Sequence, residues 1–303
     1  MPNIKTKNIE GVYIPVVTPF RADQSVNLQG LSENIKLFNH TDVSGYMPLG
    51  SNGEFASLND LEACEVVECV ADSRTLNKQL FAGIGKESAR EAIRMTKNMA
   101  GAGADAVFVL PPHYFPGVMT MSALESFYLE IADASPIPVI VYNAPGYAAG
   151  VAVEPALIKR LSMHENIIAM KNTSQIEEKE YISAAGENCA VLAGTFSNFW
   201  NALEQGAAGG VLSGANYLPE MYAYIYRLYK KNDKRRAKKL YDYLRDFASK
   251  TAGKYGVAGV KAVANMFSIN GGVPRRPLTP VPVKQQEEMR ALIEEVKKIE
   301  NEK

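Results

Sequence analysis

The chain has 303 residues, 47% of them apolar, enough for two average domains or one large barrel with a sizeable core. Lys and Arg together number 33, as do Asp and Glu, and this balance gives no ground for nucleic acid or an anionic membrane as partner. No apolar run is long enough to cross a bilayer, and the polar opening at residues 1–11 carries no signal-peptide pattern.

In chain order, Gly11 to Phe20 is a first apolar strand ending at Thr18-Pro19. A helix follows from about Asn27 to Asn39, with Leu28, Leu31, Ile35 and Phe38 on one face. Val43 to Gly50 is a second strand, opening into Ser51-Asn52-Gly53-Glu54. Ser57, with Asp60 three residues on, reads as a capping-box start to a helix over Leu58 to Ser73. Leu80 to Gly85 is a third strand, Glu87 to Ala100 a helix, and the stretch from Ala104 a fourth strand. The next helix sets Leu124, Phe127, Tyr128 and Ile131 on one stripe. Pro136 and Pro138 bracket the start of a fifth strand, which ends at Tyr142-Asn143, and a helix covers about Glu154 to Ser162. Ile167 to Met170 is the sixth strand and runs straight into Lys171 and a polar turn, Asn172-Thr173-Ser174. Ala190 to Thr195 is the seventh, a short helix spans Asn198 to Gln205, and Gly209 to Asn216 is the eighth.

Eight apolar strands alternating with helices, at about 25 to 30 residues per unit, is the pattern of a parallel (β/α)8 TIM barrel, an α/β fold. Residues 1–216 form the barrel core carrying the site. Residues 217–303 read as C-terminal helices completing the same domain, with a basic, tyrosine-bearing run at Lys230 to Lys239 as a solvated helix face.

A barrel of this kind places its site at the C-terminal ends of its strands. Ser51, Asn52, His113, Tyr114, Tyr142, Asn143, Lys171, Thr173, Gly194, Thr195 and Ser213 stand there. Lys171 ends a buried strand with no carboxylate among the expected neighbours except Glu54, so its pKa should fall below the usual value of about 10.4. Only the neutral amine attacks a ketone, which is what imine chemistry requires. A strand-end lysine that snorkels to solvent is the plain alternative. The three histidines, His40, His113 and His164, are not clustered, and no Cys–His spacing or phosphate-binding glycine motif occurs. Neither a cofactor nor a metal is expected. Cys64, Cys69 and Cys189 cannot all pair within one chain and read as reduced thiols of a cytoplasmic protein.

At this point the motifs converge. The opening VVTPF, Gly50-Ser51-Asn52-Gly53-Glu54, Tyr142-Asn143-Ala144-Pro145, the strand with Lys171 and GGVLSGAN, in this order, resemble the pyruvate-dependent class I aldolases typified by dihydrodipicolinate synthase and N-acetylneuraminate lyase. The resemblance covers essentially the whole chain. GSNGEF, SPIPVIVYN and YGVAGVKAVANMF with GGVPRRPL look most like the 4-hydroxy-2-oxoglutarate aldolase branch.

The resemblance implies that Lys171 forms a Schiff base with a 2-oxo acid, that Tyr142 transfers protons and that Ser51 relays them. It also implies that the Ser51 and Asn52 amides hold the substrate carboxylate, and that the chain assembles as a homotetramer, a dimer of dimers. Taken alone Tyr142 reads as an ordinary barrel aromatic, and Lys171 on the adjacent strand reverses that reading; Ser51 and Asn52 also build a turn, a role compatible with the catalytic one, and Thr173 is either a substrate contact or a turn residue. Glu54 reads as structural, capping or pairing at the helix entrance. Gly194 and Ser213 complete the mouth.

Three departures matter. Where dihydrodipicolinate synthases carry an arginine after Tyr-Asn-x-Pro, this chain reads Gly146-Tyr147-Ala148-Ala149-Gly150, and Tyr147 either binds a different substrate tail or packs on the loop. His113 stands where the family places a tyrosine that reaches into the neighbouring subunit, and Tyr114 follows; Tyr114 is preferred, since its phenol matches that chemistry. Thr195-Phe196 replaces the acidic pair of sialic-acid lyases, which points to a smaller or less hydroxylated substrate. The expectation is a lyase that cleaves or forms a small 2-oxo acid, with a 4-hydroxy-2-oxoglutarate-like or 2-keto-3-deoxy-acid-like substrate. The same lysine also allows a dehydratase or condensing enzyme, and a non-catalytic barrel that binds a 2-oxo acid is the further alternative.

Overall fold

Eight strands follow one another in chain order around a closed parallel barrel, each bonded to the next and the eighth to the first. The computed structural model describes residues 6–301, so the polar opening stretch read at residues 1–11 falls partly outside the described residues. The strands are β1 (Gly11–Ile14), β2 (Gly45–Tyr46), β3 (Gln79–Ile84), β4 (Ala106–Val109), β5 (Val139–Asn143), β6 (Ile167–Asn172), β7 (Ala190–Ala193) and β8 (Gly209–Val211). Helices α1 (Leu28–Phe38), α2 (Asp60–Ser73), α3 (Ala89–Gly101), α4 (Met121–Ala134), α5 (Pro155–Leu161), α6 (Glu178–Ala185) and α7 (Phe196–Glu204) separate them. Helices α8 (Pro219–Lys230), α9 (Lys234–Lys250), α10 (Gly256–Met266) and α11 (Val283–Asn301) follow.

The strands are apolar throughout because helices cover the outside and packed side chains fill the inside. Val107, Val109, Val139, Val141, Ile167 and Ala169 are all buried, and each fully buried branched aliphatic contributes about 1.5–3 kcal/mol. The stripe on α4 behaves as its spacing predicts, with Leu124, Phe127, Tyr128 and Ile131 all inside.

The hydrogen-bonded strands are shorter than the apolar runs. Val16, Val17, Met47 and Leu49 stay buried after β1 and β2 have ended, because the chain peels off the ladder before it leaves the core. β2 keeps only two residues and β8 three, whereas β3 and β6 have six each and β5 five. The short side is stitched instead by side chains. Asn216 accepts from the Val17 N–H at 3.0 Å and donates to Pro15 O at 2.9 Å, and Ser44 Oγ donates to Glu10 O at 2.6 Å.

Two local expectations are corrected. The cap of α2 is Asn59, not Ser57. Its side chain accepts from the Glu62 N–H while Glu62 reaches back to the Asn59 N–H, a reciprocal capping box. Ser57 instead ends a short 3-10 turn, Phe55–Ser57. Lys171 and Asn172 belong to β6 itself, paired with Tyr142 and Asn143 of β5, so the polar turn starts at Thr173.

Candidate active site

The C-terminal ends of the strands open into a cavity of about 1120 Å3, lined by Ser51, Asn52, His113, Tyr142, Tyr147, Lys171, Thr173, Gly194 and Ser213 among others. Parallel pairing puts Lys171 level with Tyr142 on one side and Leu192 on the other. Lys171 is 5% exposed. Its Nζ lies 4.2 Å from the Tyr142 ring centroid and 5.8 Å from that of Phe108. Those two rings meet edge to face at 5.6 Å beside the amine. Burial lowers the Lys171 pKa to about 7, with no carboxylate offsetting it. An amine in this setting is available as the free base near neutral pH.

Tyr142 is buried at 3% exposure, and its hydroxyl lies 3.2 Å from Ser51 Oγ. Burial raises the phenol pKa and the Ser51 contact partly offsets that. The phenol therefore holds its proton at rest and has a hydroxyl within reach for passing one on. Ser51 and Asn52 sit in the turn after β2, where the Glu54 N–H donates to Ser51 O at 3.1 Å. Among the described residues, neither the Ser51 nor the Asn52 N–H donates to a backbone carbonyl, which leaves both for an anion. Asn52 Nδ2 donates to Ser213 Oγ at 2.7 Å, joining the β2 and β8 loops across the mouth.

The floor behind β5 and β6 is a satisfied polar network. Asn143 Oδ1 accepts from Val153 N–H at 3.0 Å, and its Nδ2 donates to Tyr181 OH at 2.8 Å and to Asn172 Oδ1 at 3.3 Å. Thr173 spends both its N–H and its hydroxyl proton on Asn143 O, each at 2.9 Å, so the turn role is met and only the hydroxyl lone pairs face outward. The Gly194 N–H donates to Asn172 O at 2.7 Å, and an added Cβ there would collide with Thr173.

The loop after β4 divides two expected residues. His113 lines the cavity, with Nδ1 at 3.0 Å from Pro111 O and 3.3 Å from Glu87. Tyr114 does not line it; its ring is 75% exposed and rests edge-on against Phe115. Tyr147 ends the turn Pro145–Tyr147 at the rim, its ring mostly exposed. Glu54, the one carboxylate expected at the mouth, is paired with Lys261 of α10.

Sequence reasoning missed the far wall. Arg245 and Ala248 of α9 and the run from Ala252 to Ala258 line the cavity, together with Val260. Arg245 is half exposed and 3.4 Å from Asp242, and Lys254 is exposed with its Nζ 5.5 Å from the Tyr255 ring centroid. The signal available was the glycine spacing at 253, 256 and 259. A Cβ at Gly259 would strike Ala252 O, so the backbone comes close there. Among the described residues no group of three or more His, Cys, Asp and Glu could hold a metal, and no helix is long and apolar enough to cross a membrane.

Comparison with known proteins agrees with the barrel architecture. Residues 8–296 match the model of the dihydrodipicolinate synthetase family. The chain is 31% identical over 277 residues to a probable mitochondrial 4-hydroxy-2-oxoglutarate aldolase of Emericella nidulans, covering 89% of each. It is 30% identical over 287 residues to a 4-hydroxy-tetrahydrodipicolinate synthase of Methanothrix thermoacetophila, covering 93% of this chain and 95% of that one. The crystal structure of dihydrodipicolinate synthase from Aquifex aeolicus superposes with a TM-score of 0.89 at 24% identity, over 95% of this chain and 98% of that one, and shares the fold. With an eight-stranded parallel barrel, a lysine at the end of β6 and a family match along almost its whole length, the chain belongs to the dihydrodipicolinate synthetase family of lyases.

Proposed function

We propose that this protein is a Schiff-base-forming class I aldolase that cleaves a small 4-hydroxy-2-oxo acid to pyruvate and an aldehyde. One observation carries the reading: Lys171 is a buried lysine with a pKa near 7 and no carboxylate to hold its proton, in register with Tyr142. The substrate carboxylate docks on the Ser51 and Asn52 N–H groups, which brings the ketone carbon to the amine. The Lys171 amine adds to that carbon, Tyr142 gives its proton to the hydroxyl so formed, water leaves, and a protonated imine and a Tyr142 phenolate result. The phenolate, steadied by the Ser51 hydroxyl, takes the proton of the 4-hydroxyl. The C3–C4 bond then breaks, its electron pair flows into the imine to give an enamine, and the aldehyde departs. Protonation of the enamine carbon and hydrolysis release pyruvate and restore the amine.

The preferred substrate is 4-hydroxy-2-oxoglutarate or a close dicarboxylic analogue. Two observations support this. Arg245 and Lys254 put two cationic side chains on the far wall of the cavity, able to pair with a second carboxylate, and a relative at 31% identity bears the 4-hydroxy-2-oxoglutarate aldolase name. Condensation of the synthase type is disfavoured because residues 146–150 hold no arginine for the second reactant. The barrel and the C-terminal helices act as one catalytic unit in this reading, since both line the cavity. A cytoplasmic location, supported by three free cysteines, and a tetrameric assembly complete it. Light scattering at four times the chain mass checks the assembly.

The test is incubation with pyruvate and borohydride, followed by intact mass and peptide mapping. One reduced pyruvyl group on Lys171 is expected. Folded protein that stays unmodified across the neutral range rules the mechanism out. For substrate choice, Lys254→Met should raise KM for the dicarboxylic substrate by about tenfold and leave that for a monocarboxylic 2-keto-3-deoxy acid within about twofold.

A further inference from the structure

Two ionisable side chains beneath the mouth take no part in the chemistry above. Glu54 is 5% exposed and Lys261 1%, and they pair with each other. Burying two charges is costly unless every remaining donor and acceptor finds a partner. Here nearly all do: Glu54 Oε2 accepts the Arg275 N–H at 2.8 Å, and Lys261 Nζ donates to Val273 O at 2.9 Å and lies 4.4 Å from the Phe20 ring centroid, while Glu54 Oε1 has its ion pair with Lys261 and no further hydrogen bond. Apolar side chains of the same size would anchor α10 without the desolvation cost. A buried pair adds something they cannot, a directional fix of one segment against another.

The segment so fixed is the turn that carries Ser51 and Asn52. It is bracketed by two residues in left-handed conformation, Leu49 at φ 63° and Glu54 at φ 53°, where a side chain is disfavoured and the surroundings must compensate. The Glu54 N–H closes the turn onto Ser51 O, its own carbonyl accepts from the Ser57 N–H at 2.8 Å, and Thr18 Oγ1 donates to Gly53 O at 2.7 Å. Eight residues on, Arg275 grips Glu62 at 2.6 and 2.8 Å and Ser57 O at 2.7 Å. The stretch from residue 54 to 62 is thus fastened at its first residue by Lys261 and at its last by Arg275.

We propose that the Lys261–Glu54 pair is a positioning device, through which α10 sets the Ser51–Asn52 turn against Tyr142 and at the place where the substrate carboxylate docks. The proposal rests on the Schiff-base reading above. Neither residue of the pair acts on substrate; each acts through the turn. A pair that only anchored α10 would, when removed, lower stability and leave the kinetics of the folded protein alone.

The pair also carries its own pH dependence. Burial lowers the Lys261 pKa to about 8, opposed by Glu54 and slightly assisted by Arg275; these are the charged groups that face it, from the β2 loop and the C-terminal segment, and Phe20 presents a neutral ring. As pH rises through about 8 the ammonium is lost and the latch opens. Lys171 moves the other way, gaining free amine as pH rises through about 7.

The experiment compares the native protein with Glu54→Gln and with the double variant Glu54→Gln/Lys261→Met, which keeps the shapes and leaves no unpaired charge. The readouts are the pyruvate concentration giving half-maximal borohydride trapping on Lys171, the maximal trapping, and turnover, between about pH 6 and about pH 9.5. In the double variant the half-maximal concentration should rise about tenfold or more with maximal trapping retained, and its increase above about pH 8 in the native protein should vanish. A folded double variant within about twofold of native, or a native half-maximal concentration that stays flat to about pH 9.5, overturns the proposal. The second arm needs no variant, so a variant that fails to fold does not protect the idea. A native protein that forms no adduct at all defeats the Schiff-base reading and this proposal with it, a result distinct from the other two.

Discussion

Lys171 and Lys261 are both buried lysines, and one difference in surroundings separates them. Burial lowers both: Lys261, held up by the Glu54 carboxylate, falls only to about 8, whereas Lys171, beside two aromatic rings and no carboxylate, falls to about 7. A lysine whose folded pKa is depressed stabilises the fold least when it is charged. Its contribution is fully present above the unfolded value of about 10.4 and is lost as pH falls through the folded value near 7. A difference of this size is worth on the order of 3–5 kcal/mol. Lys171→Met should therefore be more stable than the native protein by about 2 kcal/mol or more near pH 6, with the gain fading toward zero above about pH 10. Urea midpoints at the two pH values measure it, and an equal gain at both would falsify burial of the charge as its cause. That a lysine stands at the end of a buried strand was legible in the residues, because four apolar residues run into Lys171. That Glu54 would be claimed by Lys261 was not, since the two lie on segments that only the tertiary fold brings together.

Strand β6 owes the placing of Lys171 to the side chains behind it as much as to its ladder. Asn143 and Asn172 sit at the same register position on β5 and β6, and between them bind Val153, Tyr181, Ser174 and Ile176. Asn143→Ala would strand the buried Val153 N–H and remove one partner each from Tyr181 and Asn172. It should cost about 3 kcal/mol in a urea unfolding experiment. A loss below about 0.5 kcal/mol would mean that water fills the gap and that the network is not a support. The helices show how far local pattern reaches. α1 begins and ends at the two asparagines that flank its apolar face, as expected from the sequence. The start of α2 was misplaced by two residues because Ser57 and Asn59 are both competent caps, and the Glu62 side chain decides between them. No local signal drew out α6, a short run with three charges in its first three residues that is held by the burial of Glu178, Tyr181 and Ala185.

For the molecule as a whole, alternation of strand and helix was enough to give the barrel, because only a closed parallel sheet uses eight such strands with no polar edge. The cavity was half legible. Its floor and near wall come from strand ends that the order of elements places, whereas its far wall comes from α9 and the turn before α10, where small residues conceal the approach. The uneven strand lengths have a consequence in time. With two residues in β2 and three in β8, the closing side of the barrel relies on side chains such as Asn216, while β3–β4 and β5–β6 are held by longer ladders. Amide hydrogen exchange should find β1, β2 and β8 opening before β5 and β6, and protection spread evenly around the barrel would contradict this. The candidate site straddles that divide: the amine and the phenol stand on the slow half, the carboxylate turn and Ser213 on the fast half. On the proposed Schiff-base reading, a molecule caught part-way open keeps its nucleophile in register with Tyr142 and loses the grip on the acid, so the power to bind should fade before the power to react.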